Sequence, residues 1–140
     1  RMIRFASEDI GNADPQALQV AIASKQAIEF LGYPECNTAL VQTAIYLATA
    51  EKSNKIYEAV NKAKEIINQT GNLNVPLHLR NAETKLMKDL GYGKGYQYAP
   101  EFKDSKVSQE HLPEEIKKEK FYEPTDRGYE KYIKKRMDER

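Results

Sequence analysis

The sequence predicts an all-α protein, a helical bundle followed by an irregular half rich in Gly and Tyr. Three observations predict it. Apolar residues recur at helical spacing through the first 70 positions. Pro, Asp and Ser stand where helices start, and Gly where they stop. Ala is abundant at 17, 21, 23, 27, 39, 44, 48, 50, 59 and 63, where small side chains favour helix and let helix axes approach closely.

Residues 2–10 place Met2, Ile3, Phe5, Ala6 and Ile10 at mixed helical spacing, and Gly11 stops the run. Asp14-Pro15 opens a second helix, because the carboxylate can cap free N–H groups and Pro loses no hydrogen bond at the first position. It should reach Leu31, with Gly32 as left-handed cap and Leu18, Ala21, Ile22, Ile28 and Leu31 as its apolar face. A third helix is expected over 34–50, with Leu40, Ala44, Leu47 and Ala48 on one side. Ser53 caps a fourth over 54–68, carrying Ile56, Val60, Ala63 and Ile67, and Gly71 ends it. Short joints between such helices predict antiparallel neighbours.

The second half holds most of the Gly, Pro, Tyr and Lys. Residues 72–78 read as an extended loop around Pro76, and 81–90 as a short helix capped by Gly91. The stretch from Gly91 to Tyr98 carries three Gly and three Tyr and makes a poor helix. Residues 96–98 and 120–122 are candidates for one short β-ribbon. Residues 112–116 hold a turn or two of helix. Thr125 or Asp126 caps a final charged helix reaching Met137. The expected organisation is one helical oligomerisation domain over 1–140: an Ala-rich bundle at 1–71 and a loop-rich extension at 72–140.

Composition bounds the function. The chain has 140 residues, 31% charged and 40% hydrophobic, with a net charge of +1, so no global field draws it to nucleic acid. No apolar run approaches the roughly 20 residues of a membrane helix. Cys36 is the sole cysteine, so no intrachain disulfide forms, which fits a reducing compartment. The start at Arg1-Met2, inside a helical pattern, leads us to expect natural chain before it.

Catalytic signatures are missing. The string nearest a phosphate loop is Gly91 to Gly95, but Gly95 follows Lys94 where Ser or Thr would hold Mg²⁺, and the string follows a helix rather than a strand. The same string fails as a dinucleotide fingerprint. His78, His111 and Cys36 lack metal-ligand spacing. Glu8 and Asp9 at a helix end suit capping or an ion pair with Arg4 better than acid–base work. No activating base adjoins Cys36.

One segment carries binding chemistry. From Val75 to Tyr98 the chain combines Arg80, Lys85, Lys88 and Lys94 with Tyr92, Tyr96, Tyr98 and His78. Three readings stay open: phosphates held by the cations with Tyr stacking, a peptide docked in an aromatic pocket with a basic rim, or a loop folded back over its own core. The Ala-rich helices either complete a monomer core or leave a face for another subunit, with Leu18, Ile22, Leu40, Ala44 and Leu47 as candidate interface residues.

Several strings together resemble a known family. They are Glu8-Asp9-Ile10-Gly11 with Ala13-Asp14-Pro15, Tyr46-Leu47-Ala48 with Lys52-Ser53-Asn54, and Val75-Pro76-Leu77-His78-Leu79-Arg80-Asn81-Ala82. They continue with Thr84-Lys85-Leu86-Met87-Lys88, Leu90-Gly91-Tyr92-Gly93-Lys94-Gly95-Tyr96, Leu112-Pro113, and Pro124-Thr125 with Gly128. The sequence is similar to the C-terminal region of the replication-associated recombination protein A family, bacterial AAA+ ATPases also called MgsA, related to the eukaryotic Werner-helicase-interacting ATPase. Glu51 and Glu83 stand where that pattern has Pro. The resemblance implies a clamp-loader-collar-like helical domain that gathers subunits into a tetramer. ATP and Mg²⁺ would bind an ATPase part outside these residues, and the fragment itself would hold no cofactor and perform no catalysis. Implied partners are DNA forks or single-strand ends, reached through the parent protein, and single-strand DNA-binding protein. The implied location is the bacterial cytoplasm, at the nucleoid.

Overall fold

The structure is a computed structural model and describes residues 1–139. It is all-helical, with no strand among the described residues. Two compact units form: one from Arg1–Ile66 with the chain from Lys120 onward, the other from Ile67–Glu119. Among the described residues no helix is long and apolar enough to cross a membrane.

The first unit opens with α1 (Met2–Phe5), which widens into a π-helical turn at Ala6–Ile10 and tightens to a 3₁₀ turn at Gly11–Ala13. Gly11 has φ +55°, and a Cβ there would lie 2.9 Å from the Ser53 carbonyl oxygen. Glycine is therefore what lets this turn meet the loop at residues 51–54. α2 (Gln16–Leu31) starts after Asp14, whose carboxylate accepts from the Gln16 N–H at 3.1 Å, and stops at Gly32 with φ +74°. α3 (Asn37–Thr49) begins three residues later than the sequence suggests, because 34–36 are taken up by a turn after the cis Tyr33–Pro34 bond. α4 (Lys55–Thr70) has its Lys55 N–H bonded to the Ser53 hydroxyl at 3.3 Å, the cap expected there, and ends at Gly71.

The core is made of small residues. Ala6, Ile10, Ala17, Ala21 and Leu47 are buried together, ringed by Met2, Ile3, Phe5, Tyr46 and Ala50. α2 presents Ala17, Ala21 and Ser24 to its neighbours at helical spacing, and α3 presents Thr43 and Leu47. Ser24 Oγ donates to the Ala39 carbonyl at 3.3 Å, tying α2 to α3 at close range. The expected α2 face needs correcting: Ala21 is buried, but Leu18, Ile22 and Leu31 remain exposed. Close approach selects the smallest stripe, and the larger residues one position away are turned outward. On α3, Ala44 and Ala48 are likewise exposed. On α4, Ile56, Ala59, Ala63 and Ile66 are half-buried, while Val60 and Ile67 are exposed.

The C-terminal chain packs into the same unit through a carboxylate. The last helix, α6 (Glu130–Asp138), begins later than Thr125 or Asp126 implied. Thr125 does not cap it. Its N–H and hydroxyl instead donate to Glu130 at 2.8 and 2.6 Å. Glu130 is fully buried and also accepts from the Tyr122 hydroxyl at 2.7 Å, which itself accepts from Asn12 at 3.1 Å. Beside it the Tyr129 N–H donates to the Ala13 carbonyl at 2.7 Å.

In the second unit α5 is confined to Lys85–Asp89, shorter than the expected 81–90. The cause is Thr84, held extended so that its hydroxyl accepts from the Met87 N–H at 3.2 Å. Past α5, the Gly91 N–H bonds the Lys88 carbonyl and the Tyr92 N–H the Met87 carbonyl, each at 3.0 Å, the paired bonds of a glycine C-cap. The β-ribbon does not form: residues 96–98 and 120–122 contain no strand. The backbone N–H and carbonyl of Gln97 are both taken by the side-chain amide of Gln109, at 3.1 and 3.3 Å. The remaining turns are short 3₁₀ pieces at Leu77–Leu79, Ala99–Glu101, Lys103–Ser105 and Glu114–Ile116.

Candidate functional site

The segment from Val75 to Tyr98 is organised around one arginine. Pro76 leads into the 3₁₀ turn Leu77–Leu79, which carries Arg80 back toward the glycine loop. Arg80 Nε donates to the Val75 carbonyl at 2.6 Å and its Nη1 to the Tyr92 hydroxyl at 3.2 Å. The guanidinium also lies 5.1 Å from the Tyr92 ring centroid. Gly93, at φ +69°, donates its N–H to the Leu77 carbonyl at 2.9 Å. Arg80 and Tyr92 thus hold the loop to the turn, engaging two of the five guanidinium N–H donors.

The other candidates are arranged differently. Lys85 and Lys88 on α5 and Lys94 in the glycine loop are exposed, and their ammonium groups make no ion pair or hydrogen bond with the described residues. Tyr96 and Tyr98 are exposed too. His78 is half-buried and its Nε2 sits 2.7 Å from the Glu110 carbonyl oxygen. A groove of about 320 Å³ runs beside it, lined by Val75, His78, Arg80, Glu110, Leu112 and Glu115 among others. Its charge is mixed. The Glu110 carboxyl is held below the usual range because the Leu112 and His111 N–H groups donate to it. Among the described residues no group of three His, Cys, Asp or Glu stands close enough to hold a metal ion.

The five candidate interface residues separate by burial. Leu18, Ile22 and Ala44 are exposed, Leu40 is half-buried, and Leu47, 3% exposed, belongs to the chain's own core. Residues the sequence reading passed over are more prominent: Phe30 is 89% exposed, Tyr33 82%, Ile45 61% and Val41 58%. Val41 and Ile45 form an i, i+4 stripe one step round α3 from the stripe singled out. That spacing was the available signal.

Comparison with known proteins places the chain. A family model described as "MgsA AAA+ ATPase C terminal" matches residues 1–140. The chain belongs to the MgsA AAA+ ATPase C-terminal family. A relative from Coxiella burnetii, "Replication-associated recombination protein A", is 47% identical over 139 residues, covering 99% of this chain and 32% of that protein. The protein of the same name from Escherichia coli K12 is 43% identical over 138 residues, 98% of this chain and 31% of its own length. "ATPase WRNIP1" of Dictyostelium discoideum is 53% identical over 124 residues, 88% of this chain and 14% of its own. The chain therefore spans a third or less of these relatives, matching their C-terminal part in the replication-associated recombination proteins.

For an MgsA C-terminal chain, the strings that carry the resemblance prove to be contact partners. Ile10-Gly11 meets Lys52-Ser53-Asn54, with the Ser53 N–H donating to the Ile10 carbonyl at 3.2 Å. Leu77 and Arg80 meet Tyr92-Gly93, as described above. Gly128, after Pro124-Thr125, lies against Ala13. The MgsA-like pattern thus marks the joints at which distant segments touch.

Proposed function

We propose that this chain is the non-catalytic assembly module of a DNA-dependent AAA+ ATPase that acts in replication-fork maintenance and recombination. It gathers subunits into a tetramer in the cytoplasm, near the nucleoid, while ATP and Mg²⁺ are handled by the rest of the parent protein. One observation carries the reading. The first unit buries alanines and leaves large apolar side chains outside, Phe30, Tyr33, Val41 and Ile45 foremost. Exposed apolar area of this kind marks a surface that another chain covers. The relatives' names supply the replication and recombination context. Light scattering on the chain tests the reading: a particle four times the 16.0 kDa of one chain is expected. A 16.0 kDa particle at high micromolar concentration refutes it.

A second reading, docking of DNA by the second unit, is supported by Lys85, Lys88 and Lys94. Their ammonium groups have no partner among the described residues, so they are available to phosphates. Single-strand DNA-binding protein remains a proposed partner of the parent protein.

A further inference from the structure

We propose that the exposed face of α6 is a contact site for single-stranded nucleic acid, with Tyr129 and Tyr132 stacking on bases and Lys131, Lys135 and Arg136 meeting phosphates. The site lies in the first unit, apart from Lys85, Lys88 and Lys94, and it rests on none of the readings above.

Rings and cations form one strip. Tyr129 and Tyr132 are exposed, and their ring centroids stand 5.7 Å apart at a tilt of 45°. A cation lies against each. The Lys131 ammonium is 5.0 Å from the Tyr132 centroid, and the Arg136 guanidinium carbon is 5.5 Å from that of Tyr129. Arg136 Nη2 also donates to the Tyr129 hydroxyl at 3.2 Å, which uses one of its five N–H donors and holds the fork in place. Neither Lys131 nor Arg136 pairs with a carboxylate among the described residues. Lys135 reaches Glu139 only at 3.8 Å, and both side chains stand in solvent, where water screens the pair. Lys134 is not part of the strip, because Asp126 takes its ammonium at 2.8 and 3.0 Å. The other acids of this helix keep away from the rings: Glu130 is buried, and Asp138 and Glu139 stand at the far end.

The back of the helix fixes the strip. Glu130 is held by Tyr122 and Thr125, and the Tyr129 N–H is bonded to the Ala13 carbonyl, so the rings ride on an anchored turn. Rings and a guanidinium already held in place lose little conformational freedom when a ligand arrives. The helix macrodipole alone accounts for cations in the last turn. It does not account for two exposed rings among them. An acidic peptide needs only the cations, whereas a nucleotide strand uses both, phosphate on cation and base on ring. A duplex hides its base faces, so the strand must be single. From Tyr129 to Arg136 the helix rises about 10 Å, room for about two stacked bases.

The test uses the full 140-residue chain and a fluorescein-labelled oligothymidine, with binding read by anisotropy over a salt series. Lys131→Gln combined with Arg136→Gln should weaken binding roughly tenfold and flatten the salt slope by about 1.4, the release expected from two single-strand phosphate contacts. Tyr132→Ala should weaken binding roughly tenfold with the slope unchanged, and Tyr132→Phe should restore it, because a phenyl ring still stacks. An abasic strand of the same length should bind the parent roughly tenfold more weakly than oligothymidine, a readout that needs no variant to fold. All three substituted positions are exposed, and thermal melting checks each variant. Unchanged affinity in both the charge variant and Tyr132→Ala overturns the site, as does a parent chain that binds no oligothymidine at low salt. Polyglutamate displacing the strand as well as unlabelled oligothymidine does also overturns it, since the strip is then a dock for acidic chains. So does a loss confined to Lys85→Glu, Lys88→Glu and Lys94→Glu together, which leaves the strand to the second unit.

Discussion

Replacing Glu130 with Ala should loosen the whole C-terminal segment from the first unit. The carboxylate is fully buried, and it gathers the Tyr122 hydroxyl at 2.7 Å, the Thr125 N–H at 2.8 Å and the Thr125 hydroxyl at 2.6 Å. Hydrogen bonds to a charged group contribute about 1.5–3 kcal/mol each, though they are not additive. Removing the acceptor leaves buried donors unpaired, and changes of this kind cost about 3–5 kcal/mol. For a domain of this size that corresponds to a fall of roughly 10–20 °C in Tm. Circular dichroism melting reads it directly. Trypsin supplies a second readout, because cleavage after Arg127 or Lys131 should become fast once the segment lifts. Glu130→Gln should lie between parent and Ala, since an amide oxygen accepts but its NH₂ faces donors. A Glu130→Ala protein melting within about 2 °C of the parent, with unchanged proteolysis, refutes the reasoning.

Three further outcomes follow from the same geometry. Burial pushes the Glu130 carboxyl up, but bonds from Thr125, Tyr122 and Ser53 outweigh it and hold the group below its ordinary value. Its contribution is then present above the unfolded carboxylate value and lost as pH falls through the folded one, so the gap in melting between parent and Glu130→Gln should be flat near neutrality and close in acid. The Gly128→Ala chain should be strongly destabilised, because a Cβ there would lie 2.1 Å from the Ala13 carbonyl oxygen at a φ of +47°; a melting point equal to the parent's would contradict the close approach. If the second unit docks DNA, changing Lys85, Lys88 and Lys94 together to Glu should weaken binding and flatten its salt dependence in fluorescence anisotropy, and an unchanged slope would remove that reading.

Local chemistry made much of the fold legible. Gly32, Gly71 and Gly91 end helices where the sequence says they should, and Ser53 caps α4. These signals act over three or four residues, so a single chain read in order contains them. The basic segment was legible too, down to Lys85, Lys88 and Lys94 at the surface, but the fate of Arg80 was not. Its partners depend on Gly93 folding back to Leu77. Glu130 looked like one charge in a charged helix, yet it organises a network reaching Asn12 through Tyr122. Nothing within a few residues of Glu130 announces that.

The choice of buried face was also a tertiary decision. Periodicity placed Leu18, Ile22 and Ala44 on apolar faces, open to the core or to another subunit, because it weighs hydrophobicity along one helix. The folded chain buries Ala17, Ala21 and Thr43, of which only Ala21 lay on a face read from the sequence. How close two axes come is decided by the pair of surfaces that meet, and small residues win where the approach is tight. Where helices begin and end is therefore a property of the sequence alone. Which side of each faces inward, and which stays exposed, follows only from packing, because burial is a relation between segments far apart in the chain.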